Sequence, residues 1–161
     1  MKKLLLSLAL TSSQILMGCA TAIVPISSKE ESANAKAFNK PNENKAGVFI
    51  LREDGPFAYD KRHFKKSLWI DSQCVATSGS NIFFYFQIEG GKVYELTTQS
   101  VFTPNTLTVM LEKGKNYFFK QTIHENFPVP TIGHTTLEQV SDKKGETAVS
   151  RLEMGRLGDC H

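Results

Sequence analysis

Residues 82–98 read Ile82-Phe83-Phe84-Tyr85-Phe86-Gln87-Ile88-Glu89-Gly90-Gly91-Lys92-Val93-Tyr94-Glu95-Leu96-Thr97-Thr98, and this stretch decides the fold class. Both halves are rich in aromatic and β-branched side chains, which suit a pleated, half-buried surface. Each is too short for an ordinary helix. Gly90-Gly91 between them predicts a hairpin turn, because both glycines accept positive φ without steric cost. In a strand, Phe83 and Tyr85 point one way while Phe84 and Phe86 point the other. One of these faces fills a core. The other is either covered by a second layer, the lead-in helix or the tail, or exposed as an aromatic patch. Burial is the default, since large exposed apolar patches are uncommon on monomers. An exposed stripe would be a partner site.

The same texture extends on both sides. Val48-Phe49-Ile50-Leu51 is an unbroken apolar run that suits a strand covered on both faces. Asp54-Gly55-Pro56 ends it with turn chemistry, and residues 56–64 read as a loop. Ser67 to Asp71 is a second strand, with Asp71-Ser72 as a tight turn into Gln73 to Thr77. Beyond the central pair, Thr106 to Leu111 alternates, so that Leu107, Val109 and Leu111 face the core. Lys113-Gly114-Lys115-Asn116 turns it back into Tyr117 to Ile123, with Tyr117 and Phe119 inward. Residues 124–134 carry Pro128 and Pro130 and fit no regular element, whereas Thr135 to Val140 reads as a last strand. Ser141-Asp142 caps a short helix over about 142–150, weakened by Gly145. Upstream, Ser27-x-x-Glu30 and Ser28-x-x-Glu31 are both capping-box spacings. They predict a helix over about 29–38, stopped by Asn39-Lys40-Pro41, with Phe38 as its docking residue. Strands with turn signals about every 8 to 12 residues indicate a sandwich or barrel. The expectation is an all-β, small antiparallel β-sandwich, immunoglobulin-like or transthyretin-like, with short peripheral helices and a C-terminal tail, over residues 46–161.

Ahead of the domain stands an export pattern. Lys2 and Lys3 make a positive start, Leu4 to Leu10 an apolar run, and Thr11-Ser12-Ser13-Gln14 breaks it before Leu16-Met17-Gly18-Cys19. A spanning helix needs about 20 mostly apolar residues, which the polar tetrad does not leave. The pattern resembles the lipobox of bacterial lipoproteins. That resemblance implies a signal peptide over 1–18, a lipid on Cys19 and a tether over 19–45. Ala20, rather than Asp, after the cysteine implies the outer membrane, facing the periplasm, if the source is Gram-negative. Removing the first 18 of 161 residues leaves 143, room for one domain. The formal charge of +3 falls to +1 without Lys2 and Lys3. A balance so close to neutral gives no electrostatic case for nucleic acid or for a polybasic membrane contact. Eleven Phe, four Tyr and one Trp suffice for a globular core.

No constellation of residues points to catalysis. His63, His124, His134 and His161 lack ligand spacing. His124, His134 and Glu125 could converge on a metal across the 124–134 segment, but solvated loop histidines are the plainer reading. Gly-x-Ser-x-Gly is absent, and Ser78-Gly79-Ser80 is explained by a turn. Gly90-Gly91 and Gly114-Lys115 lack P-loop spacing. Cys74 could act as a nucleophile beside a histidine. In an oxidising compartment a disulfide between Cys74 and Cys160 is the better reading, because Cys19 is taken by lipid.

The order of elements is similar to the lipoproteins containing the domain of unknown function 2846. Ala35-x-x-Phe38, a strand opening Lys45-Ala46-Gly47 and closing on Arg52, a strand reaching Asp71, and a central hairpin carry the resemblance. Gly114-Lys115-Asn116-Tyr117-Phe118 and Leu137-x-x-Val140 complete it. Many members have Pro-Gly-x-His at the central turn, where this chain has Gly90-Gly91-Lys92-Val93. The family implies a small β-sandwich on a lipid anchor, with no assigned activity and no functional residue to carry over. The expected protein is therefore a non-enzymatic, lipid-anchored binding or structural module without cofactors. Its partners are the membrane, through Cys19, and an envelope protein. The alternative is a periplasmic enzyme or metal-binding protein using residues 124–134.

Overall fold

The computed structural model of the protein describes residues 24–54, 64–100, 105–126, 129–158 and 160, with the backbone alone for 125, 126 and 129–133. The signal peptide, Cys19 and all but the last residue of the 56–64 loop lie outside the described residues.

Helix α1 (Lys29–Lys36) starts at Ser28, whose hydroxyl accepts from the Glu31 amide at 3.1 Å while the Glu31 carboxylate accepts from the Ser28 amide at 2.9 Å. Of the two capping-box spacings in the sequence, this is the one used. Past the helix, Phe38 has a φ of 49°, uncommon for a bulky residue. Its ring lies 5.7 Å from Phe49 and 6.0 Å from Phe118. Phe38 is not the only docking residue, for Ala35 is also buried.

The strands are β1 (Lys45–Arg52), β2 (Lys66–Ile70), β3 (Gln73–Ser78), β4 (Ile82–Glu89), β5 (Lys92–Thr98), β6 (Asn105–Leu111), β7 (Asn116–Asn126), β8 (Val129–Val140) and β9 (Glu153–Met154), with α2 (Asp142–Val149) before the last. They form two sheets, ordered β8-β7-β1-β4-β9 and β3-β2-β5-β6. Asp71 and Ser72, both at positive φ, make the expected tight turn between β2 and β3.

The sheet topology corrects the expectation in several places. The first sheet is mixed, not antiparallel: β1 runs antiparallel to β4 but parallel to β7, and β4 runs parallel to β9. A parallel pair needs a long crossover, which the excursion through β2 to β6 supplies. Second, Gly90-Gly91 is not a hairpin turn. β4 pairs with β1 and β9, whereas β5 pairs with β2 and β6, so the glycines carry the chain from one sheet to the other. Lys113-Gly114 does the same between β6 and β7. At this corner Gly90 donates to Asn44, Gly91 to Leu111 and Gly114 to Lys45. A Cβ on Gly90 would lie 2.7 Å from the Lys113 Cα. Burial explains the separation: β4 opens with residues buried on both faces and needs a layer on each side, while β5 buries alternate residues and keeps one face open.

There are accordingly two cores. Val48, Ile50, Phe84, Leu96, Leu111 and Phe119 fill the space between the sheets. Phe49, Leu51, Phe83, Phe118, Val149 and Leu152 fill the space between the first sheet and the helices. The aromatic run of β4 serves both, with Phe83 and Phe84 buried and Tyr85 and Phe86 half-buried. On the edge of the core, Val109 is buried and Leu107 and Tyr117 are half-buried. The 124–134 segment is also more regular than expected. β7 and β8 continue into it as a paired ribbon in which His124 sits opposite His134. Pro130 lies in β8, an edge strand, where a missing N–H is tolerated.

Candidate functional site

The cysteines expected to pair are brought together. Cys74 enters β3 directly after the Asp71-Ser72 turn, and Cys160 reaches it across a Cα separation of 6.2 Å to form a disulfide. The tail has other supports besides the bond. Leu152 and Met154 are buried, β9 pairs with β4, and the Gly158 amide donates to the Val75 carbonyl at 2.8 Å. The tail thus meets β3, the edge of the second sheet, at Cys74 and Val75.

The histidines meet in part. His63 and His161 lie outside the described residues. The exposed rings of His124 and His134 stack across β7 and β8 at 4.4 Å between centroids and 9° between planes. His124 Nε2 is engaged with Thr136 Oγ1 at 2.9 Å. Among the described residues, no three His, Cys, Asp or Glu side chains converge on a metal-sized site.

A polar cluster closes the end of the inter-sheet space where β1, β3 and β5 finish and β7 passes at Gln121, and sequence reasoning missed it. Arg52 is buried, pairs with Asp54 at 2.8 Å and donates to the Phe64 carbonyl. Gln121, next along β7 from Lys120, which pairs with Leu51, donates its amide to Thr98. The Thr135 amide donates to Ser100 Oγ at 3.2 Å. Burial first, and the neighbouring Arg52 charge second, hold the Lys66 amine below the usual lysine range. Thr77 Oγ1, Ser78 Oγ, Gln121 Oε1 and Thr135 Oγ1 are buried without a hydrogen-bond partner in the protein. Such atoms are costly to leave unpaired, but Thr77 and Ser78 are consecutive in β3 and face opposite ways, so the four do not all face one site. No nucleophile–base pair is present in the cluster among the described residues. The signal in the sequence was faint: Arg52 closes the apolar run of β1, and Gln121 stands between Lys120 and Thr122 in β7.

Two surface grooves complete the candidates. One, of about 310 Å³, lies on the open face of the second sheet between Trp69, Thr97 and Ser100. The other, of about 390 Å³, lies between α1 and β4, lined by Asn34, Asn42, Tyr85 and Gln87. Burial raises the Tyr85 hydroxyl above the usual tyrosine range. No helix among the described residues is long and apolar enough to cross a membrane.

Comparison with known proteins gives a family and a relative. The family described as protein of unknown function (DUF2846) matches residues 42–134, from just before β1 into β8. A protein of Haemophilus influenzae, named only "Uncharacterized protein", is 37% identical over 140 residues, covering 87% of this chain and 77% of its own. No solved structure matches.

Proposed function

We propose that this chain, which belongs to the DUF2846 family of proteins of unknown function, is an exported module held at the cell envelope by lipid on Cys19. It acts by binding or by structural support, without chemistry of its own. The observation that carries the reading is the Cys74–Cys160 disulfide. Disulfides persist outside the reducing cytosol, and this one takes both cysteines that follow Cys19 in the sequence. The leader ending in Leu16-Met17-Gly18 supports the same address. The intended partners are the membrane, through the lipid, and an envelope protein; the compartment is the outer membrane, facing the periplasm.

Detergent phase partitioning tests the anchor. Wild-type protein should enter the detergent phase and Cys19→Ser should remain aqueous; a Cys19→Ser protein still in detergent would remove the basis of the reading. Density separation of the two membranes tests the compartment, with the protein expected in the outer-membrane fraction.

A second reading draws on the stacked His124 and His134 rings. Imidazole pairs suit zinc, copper or nickel, and such a site would place a metal-dependent role on the β7–β8 ribbon. Titration with these ions separates the readings. Saturable binding lost in both His124→Ala and His134→Ala favours the second, and the absence of saturable binding leaves the first.

A further inference from the structure

The chain enters the domain on a short, fixed path. Val24 is buried in the inter-sheet core. The segment after it runs antiparallel to the C-terminal segment: Ser27 N donates to Met154 O at 2.8 Å, Arg156 N donates to Pro25 O at 2.8 Å, and Ile26 bridges Gly155. The C-terminal segment is held from its far side by Gly158 and the disulfide.

From Cys19 to Val24 is five residue steps. A fully extended chain covers at most about 3.6 Å per residue, so Val24 lies within about 18 Å of the Cys19 Cα. The polar layer on each side of a bilayer is roughly 5 to 8 Å thick. A lipid on Cys19 therefore keeps this edge of the domain close to the interface. Among the described residues, the exposed large hydrophobic side chains are Ile26, Val93, Met110 and Leu157. Ile26 and Leu157 belong to the two segments just described, while Val93 and Met110 face each other across β5 and β6. Arg156, next to Leu157 in the chain, is exposed, but Glu30 and Glu31 open α1 nearby, and the Glu31 carboxyl is held below its usual range by the Ser28 hydrogen bonds first and the Arg156 charge last. The local charge favours neither sign; Val93 and Met110, at 58% and 56%, are more exposed than Ile26 and Leu157, at 36% and 38%, so the short reach from Cys19 carries the case.

We propose that Ile26 and Leu157 form a membrane-resting surface that seats the domain on the lipid interface beside its anchor. The inference rests on the lipidation reading above. It fixes the orientation of the domain and leaves the open face of the second sheet, with Trp69, Val93 and Met110, turned toward other partners.

The test uses the full chain purified with its acyl groups and reconstituted into phosphatidylethanolamine and phosphatidylglycerol vesicles containing brominated lipid. In a Trp69→Phe background, a single tryptophan is placed by Ile26→Trp, Leu157→Trp, Val93→Trp or Met110→Trp. Quenching should be several-fold stronger at 26 and 157 than at 93 and 110. Equal quenching at all four positions, or stronger quenching at 93 and 110, in protein that floats with the vesicles overturns the seating and leaves lipidation intact. Unquenched 26 and 157, together with cross-linking between copies through position 157, would assign the patch to a second copy of this chain and overturn it likewise. Protein that does not float, with an intact mass lacking acyl groups, overturns the lipidation reading and the seating together.

Discussion

Gly145 lies inside α2 with its α-carbon against the Phe118 ring, and a Cβ there would overlap the ring. Helix propensity alone favours alanine by about 1 kcal/mol. Phe118 is fully buried and cannot step aside, and overpacking costs about 1 to 3 kcal/mol. Gly145→Ala should therefore destabilise the protein by up to about 2 kcal/mol in urea denaturation; a more stable variant would show that α2 can lift from β7. At Val109, truncation to alanine removes a buried side chain from the inter-sheet core and should cost about 1 to 3 kcal/mol. The disulfide spans a sequence separation of 86. Chain entropy puts its contribution at about 4 to 5 kcal/mol as an upper bound. Cys160→Ser should lose about 2 to 4 kcal/mol of that, measured by the same denaturation, since β9 and the Gly158–Val75 bond still hold part of the tail. No change at all would mean that the bond does not form in the native protein.

Elements were legible in the sequence where their signals are local. The capping box of Ser28 and Glu31 and the tight turn at Asp71-Ser72 need only a few residues to specify them. Both were readable for that reason. The pairing of β4 was not: Gly90-Gly91 announces a chain reversal, but nothing in it says whether the next strand joins the same sheet or the other. Nor could the β7–β8 ribbon be read through Pro128 and Pro130, because tolerance of proline depends on β8 being an edge. The polar end was hidden for a related reason. Gln121 looks like a solvent-facing residue until Thr98 on the opposite sheet supplies its partner.

Two outcomes test the elements. Gly90→Ala should be strongly destabilising because the obstructing atoms are Lys113 backbone; a neutral effect would argue for a free hairpin tip instead. For α1, the Glu31 carboxyl is held below its ordinary 4.5 first by the Ser28 amide and next by its hydroxyl. A depressed carboxyl stabilises the fold above the unfolded value and loses that contribution as pH falls through the folded value. Ser28→Ala should lower stability at neutral pH by about 0.5 to 2 kcal/mol, the usual loss for a helix N-cap. The gap to wild type should narrow as pH drops below 4.5, read as melting temperature against pH. A gap constant with pH would mean that the Ser28 hydroxyl takes no part in holding the carboxylate, the Ser28 amide bond being present in both proteins.

At the scale of the whole molecule, the first sheet is covered on one side by the second sheet and on the other by α1 and α2. The first described segment and the C-terminal segment meet at one edge, where residues 25–27 pair with 154–156. That arrangement suits a domain carried on an N-terminal lipid, since the attachment point leads straight into packed structure. The described residues also hold a disulfide at the C-terminal end, in keeping with an exported protein. The most direct test is the intact mass of protein extracted from membranes without reducing agent. The expected mass is that of a chain beginning at Cys19, with acyl groups on that residue and the Cys74–Cys160 bond closed. A chain retaining residues 1–18, one beginning elsewhere without acyl groups, or one with free thiols at Cys74 and Cys160 would contradict the account.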